Sequence, residues 1–90
     1  MGDAAVKIRI MPTSPDADLE AIESSAVKII MEYHGKVAKT EKEPIAFGLN
    51  SIIITFAWDE NSDQDPLEEA LRAIENVSST EIIDFRRISF

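Results

Sequence analysis

The chain has 90 residues, with 17 acidic and nine basic side chains, one histidine, no cysteine and a net charge of −8. Ninety residues support one modest core, so a single domain over 1–90 is expected, and the missing cysteines exclude a disulfide framework or a thiolate metal site. The surplus of negative charge opposes phosphate backbones and argues against direct nucleic-acid binding. No apolar run approaches the roughly 20 residues that cross a bilayer.

The opening "MGDAAVKIRI" has no basic segment ahead of an apolar one, so it does not read as a leader. Val6 stands where a myristoylation pattern requires Ser or Thr. A cytoplasmic protein without membrane contact is therefore expected. Within "DAAVKIRIM" the residues alternate, with Ala4, Val6, Ile8 and Ile10 on one face and Ala5, Lys7, Arg9 and Met11 on the other. That period of two predicts a half-buried strand.

"PTSPD" breaks the strand, and Ser14 or Asp16 is placed to cap the helix that follows, with Asp18 and Glu20 in its first turn. Leu19, Ile22, Ala26, Ile29 and Ile30 recur at helical spacing. Gly35 is expected to end this helix, with the lone His34 beside it serving the helix dipole rather than a metal. "KVAKTEKE" reads as a polar strand at a sheet edge, where lysines discourage further pairing.

"PIAFG" turns the chain into "LNSIIITFAW", the strongest strand. Ile52, Ile54, Phe56 and Trp58 take one of its faces, and Ser51, Ile53, Thr55 and Ala57 the other. Apolar residues on both faces predict a central position. "DENSDQD" is a solvated acidic loop. Asp65 is expected to cap the second helix, with Pro66 at its first position and Glu68 at capping-box spacing. Leu67, Ala70, Leu71 and Ile74 form its apolar stripe, and "NVSS" ends it. In the last strand, "TEIIDFRRISF", Ile83 and Phe85 are in phase with each other, and so are Ile82 and Ile88, with Asp84 in the second set. A bulge near Asp84 would reconcile the two.

The order β-α-β-β-α-β predicts an α+β fold: a ferredoxin-like sandwich, with a four-stranded antiparallel sheet and two helices on one face. Many functions share that fold. The acidic loop lacks the central Gly and final Glu of a calcium-binding loop. There is no glycine-rich phosphate loop and no nucleophile with a base at hand. Neither a catalytic residue nor a cofactor or metal site is therefore assigned. An RNA platform would need exposed aromatics on the first and third strands, where this chain has Lys7 and Arg9 and a core-phased Phe56 and Trp58. A small ligand-binding or regulatory module of the same fold stays open. The turn poses a separate question, because a turn does not need an aromatic such as Phe47. Either Phe47 closes the end of the core, or it is held out for a partner.

Three segments, "MPTSPDADLEAIE" (11–23), "EPIAFGL" (43–49) and "DFRRI" (84–88), together resemble archaeal translation elongation factor 1-beta. The likeness runs in order over nearly the whole chain, and its middle motif is the most specific. The resemblance implies a guanine-nucleotide exchange factor whose partner is the GTPase elongation factor 1-alpha and which makes or breaks no bond itself. It also implies partner contact through the turn residues Pro44, Ile45, Phe47 and Gly48. It further implies a basic residue near the C-terminus that acts on the partner's magnesium site, which here falls on Arg87, or on Arg86 beside it. Eukaryotic members have a lysine next to the chain end. An arginine with three residues after it departs from that pattern, and the two side chains are not interchangeable.

Overall fold

The computed structural model describes residues 3–88, the side chains of Phe47 and Ile88 excepted. Strand β1 (Asp3–Pro12) leads into helix α1 (Leu19–Glu32), then strand β2 (Lys36–Pro44). A 3₁₀ turn (Ala46–Gly48) connects β2 to strand β3 (Asn50–Asp59). Helix α2 (Asp65–Arg72) and strand β4 (Val77–Ile88) follow. The sheet order is β2-β3-β1-β4, with every neighbouring pair antiparallel. This is the expected ferredoxin-like sandwich, with β3 central and the lysine-bearing β2 at an edge.

The register explains the core. Ala4, Val6, Ile8 and Ile10 of β1 pair with Trp58, Phe56, Ile54 and Ile52 of β3, and all eight are buried. Because paired residues share a face, these rows form one apolar surface. Ile22, Ala26 and Ile30 of α1 and Leu67 and Leu71 of α2 cover it in a single cluster. Each large side chain so buried stabilises the fold by about 1.5–3 kcal/mol relative to exposure. The opposite face of the sheet carries charge, yet Ile53 there is also buried. It is paired with Arg9 on one side and Glu41 on the other, and long polar side chains shelter apolar neighbours with their stems.

Strand β4 contains the bulge that its sequence demanded. Lys7 pairs with Asp84 and Ile8 with Ile82, so Ile83 is the extra residue. The slip returns Ile82 to the helix-covered face, where Phe85 also lies opposite Val6. The β1–β4 ladder shifts again between Met11 and Pro12, and a shift between Val37 and Lys39 in β2 makes that edge irregular, a feature that discourages edge-to-edge pairing.

The helix ends differ from expectation. Asp18, not Ser14 or Asp16, caps α1: its Oδ1 accepts from the Ala21 N–H at 3.2 Å. Ser14 is engaged in its own turn, its carbonyl accepting from the Ala17 N–H at 3.2 Å. At the other end His34, rather than Gly35, takes the left-handed conformation, with φ 70°. The His34 N–H donates to the Met31 carbonyl at 3.0 Å and the Gly35 N–H to the Ile30 carbonyl at 2.9 Å, the two bonds of a Schellman motif. Gly35 is needed for space: a Cβ there would lie 2.6 Å from Ile30 Cγ2. In α2 the capping position falls on Gln64, whose side chain makes no capping bond, and Asp65 is already helical.

Candidate functional site

The residues singled out in the turn form the closed end of the β2–β3 hairpin. Pro44 is the last residue of β2, opposite Asn50, and it is exposed. Beyond it the chain leaves the ladder and closes a small loop. The half-buried Ile45 donates its N–H to the Leu49 carbonyl at 2.7 Å, and Leu49 donates to the Ala46 carbonyl at 3.3 Å. Gly48 completes the loop at φ 75°, with no heavy atom within 4 Å of where a Cβ would stand. Glycine is required there by the backbone and not by crowding. Phe47 lies at the middle of the 3₁₀ turn; the position of its side chain falls outside the described residues.

The base of this loop is braced across the sheet. Ser51, fully buried, donates from Oγ to the Glu43 carbonyl at 3.2 Å. The Glu43 carboxylate receives Arg9 Nη2 at 3.4 Å, and Arg9 Nη1 lies 3.9 Å from Glu81 on β4. One guanidinium on β1 thus links the two edge strands of the open face. These groups are partly exposed, so the ion pairs contribute geometry more than stability.

The two arginines lie at the other end of the sheet and on opposite faces. Arg86 pairs with Ala5 on the open face; Arg87 pairs with Ala4 on the helix-covered face. Each is tied through Nε to a carboxylate, Arg86 to Asp84 at 3.1 Å and Arg87 to Glu60 at 3.4 Å. Ala4 is opposite Trp58, and the turn precedes Asn50. Eight steps of β3 at about 3.3 Å each therefore put roughly 26 Å between turn and arginines. The structure brings Pro44, Ile45 and Gly48 together, whereas Arg86 and Arg87 share the other end of the sheet but not a face.

The carboxylates of the acidic loop are occupied locally. Asp59 Oδ1 accepts from the Asn61 N–H at 3.0 Å, and Asp63 Oδ1 accepts from the Asp65 N–H at 3.0 Å. Among the described residues no three His, Cys, Asp or Glu side chains gather as a metal site. Glu60 was not distinguishable in sequence from its acidic neighbours, and neither Glu43 nor Arg9 had a local signal. No described helix is long and apolar enough to cross a membrane.

With this geometry in hand, comparison with known proteins decides the family. Residues 5–88 match the EF-1 guanine nucleotide exchange domain. The chain belongs to this family. It is 39% identical over 89 residues to elongation factor 1-beta of Methanothermobacter thermautotrophicus, covering 98% of this chain and 99% of that protein. It is 38% identical over 92 residues to elongation factor 1-beta of Methanosarcina barkeri, covering 98% and 100%. The Methanococcus maripaludis protein of the same name is 33% identical over 85 residues, covering 93% and 96%. Among solved structures, the ACT domain from GTP pyrophosphokinase of Chlorobium tepidum superposes with a TM-score of 0.65. It does so at 15% identity, over 90% of this chain and 99% of that one, a likeness of fold alone. The exchange-domain chain therefore has a guanine nucleotide exchange role in translation elongation, as the resemblance implied.

Proposed function

We propose that this chain acts in the cytoplasm as one exchange domain, releasing GDP from elongation factor 1-alpha without making or breaking a covalent bond and without touching nucleic acid. The observation that carries the reading is the match over residues 5–88 in a chain that holds its "PIAFGL" turn and its arginine pair at opposite ends of the sheet. Two contact regions so far apart suit a partner gripped at two places.

The work is done by differential binding. An exchange factor that binds the nucleotide-free GTPase more tightly than the GDP-bound form lowers GDP affinity by the same factor. In this reading the loop of Pro44, Ile45, Phe47 and Gly48 is the anchor. A rigid aromatic presented on a closed turn is a common source of interface energy. Arg87 is the working charge: near the partner's magnesium and phosphates it competes with the ion for the same oxygens, and the ion's charge is often the largest local one. Arg86, on the other face, has the lesser part. The decisive experiment is release of labelled GDP from purified elongation factor 1-alpha with and without this protein. Faster release is expected, and no acceleration at any concentration refutes the proposal.

A further inference from the structure

Glu60 stands apart from the other carboxylates of its loop. The turn 59–62 is fixed at three points. The Ser62 N–H donates to the Asp59 carbonyl at 2.9 Å, and the Asn61 N–H donates to Asp59 Oδ1 at 3.0 Å. The Trp58 indole Nε1–H donates to the Ser62 carbonyl at 3.2 Å. Trp58 is itself 3% exposed and meets Phe56 edge to face, with ring centroids 6.0 Å apart. Glu60 is the second residue of a turn tied to the core, and its side chain is only 26% exposed. Arg87, 78% exposed, reaches it through Nε.

The atom used matters. An ion pair at 3.4 Å from Nε sets the Glu60 carboxylate against the inner edge of the guanidinium and leaves the two Nη groups for an end-on, bidentate oxyanion. The register says where that edge is held. Asp59, Asp3 and Ile88 form one row of the sheet, one step beyond the row of Arg87, Ala4 and Trp58. Glu60 follows that outer row, so the pairing draws Arg87 toward the end of the sheet rather than back along it. Asp84, by contrast, lies on the same strand as Arg86 and holds it over the open face.

We infer that Glu60 is a positioning residue, bracing Arg87 by its Nε so that the outer edge of the guanidinium meets an oxyanion at the GTPase's nucleotide site. The inference rests on the exchange function proposed above. The oxyanion is a carboxylate of the partner, which remains when GDP leaves and so lets the contact favour the empty form.

The test uses the whole chain with Glu60→Gln, Arg87→Ala and the double variant. Labelled GDP release from elongation factor 1-alpha is measured beside thermal melting. Glu60→Gln keeps the shape and removes the charge. It should slow release about two- to fivefold, the range of a partly exposed pair, and lower the melting temperature by no more than a few degrees. In the Arg87→Ala background it should have no further effect, because interacting residues are not additive. In the free protein, the Arg87 Nε–H resonance should shift on Glu60→Gln, a readout that needs no GTPase. A loss of affinity for the empty partner larger than for the GDP-loaded one is expected, because only such a contact favours release; a loss confined to the GDP-loaded partner would mean that the contact retains GDP, and overturns the inference. Release as fast as wild type with Glu60→Gln, while Arg87→Ala is slow, overturns the inference and spares the exchange reading of Arg87. An equal slowing in both backgrounds also overturns it. If Arg87→Ala is itself silent, the exchange role of Arg87 fails, and the bracing role with it.

Discussion

Gly48→Ala isolates the backbone of the hairpin loop. Gly48 sits at φ 75° with open space around its Cα, so an added methyl group meets nothing. The whole cost is conformational: an L-residue in the left-handed region loses roughly 1–2 kcal/mol. Alanine also restricts the unfolded chain, which offsets about 0.4–1 kcal/mol of that loss. The net expectation is a destabilisation of about 1 kcal/mol, or a melting temperature roughly 4–8 °C lower for a domain of this size. Gly48→Asn should lose less, because Asn tolerates this region. Thermal unfolding followed by circular dichroism measures all three proteins, and titration against elongation factor 1-alpha follows the loop's presentation. Affinity should fall with Gly48→Ala and largely return with Gly48→Asn. Melting of Gly48→Ala at or above the wild-type temperature refutes the strain argument.

Gly35→Ala should be worse for a different reason. Its Cβ would crowd the buried Ile30 side chain and the Ile30 carbonyl, at 2.6 and 3.1 Å, and overpacking of this kind costs about 1–3 kcal/mol; urea unfolding should show the loss with an unchanged slope. Asp18→Ala removes the cap of α1 and should cost about 0.5–2 kcal/mol, with Asp18→Ser recovering most of it in the same unfolding assay. Phe47→Ala should weaken association with elongation factor 1-alpha by about 2 kcal/mol, roughly 30-fold in Kd, without changing the melting temperature. A drop of many degrees with unchanged affinity would instead make Phe47 a core residue.

Much of the fold was legible because the apolar pattern and the register agree. The alternation in β1, the two-sided apolar character of β3 and the lysines of β2 each correspond to one position in the sheet. Even the bulge in β4 was visible as a phase conflict around Asp84. The helix caps were less legible, because several polar residues stand close together and the surrounding contacts choose among them. Thr13 donates its N–H to the Asn76 carbonyl at 2.8 Å. That bond pins the start of the β1–α1 loop, and it is the Asp18 carboxylate that reaches a helical N–H. In the sequence Gly35 reads as the end of α1 because glycine is the usual choice there. The close approach of Ile30 is a tertiary fact, and it changes the reason for the glycine. At the candidate site the motif residues could be picked out but their supports could not. Arg9 lies 34 positions before Glu43 and 72 before Glu81, and Glu60 lies 27 before Arg87. No local pattern links residues so far apart in the chain.

The interval between the hairpin loop and the arginine pair is measured out by β3, and a strand is a ruler with two properties. Its graduations are about 3.3 Å, and successive graduations face opposite ways. Lengthening β3 by one residue would therefore move the far end by one mark and also exchange Ile52, Ile54, Phe56 and Trp58 with the residues of the charged face. In a regular strand only changes of two preserve the core, and each would shift the interval by nearly 7 Å; a single extra residue keeps the phase only as a bulge, as Ile83 does in β4. The spacing of the two ends is thus locked to the packing of the interior. A partner that requires a different spacing must be met by a bulge in the strand or by a change in the loops beyond the sheet, since a regular β3 has no intermediate setting.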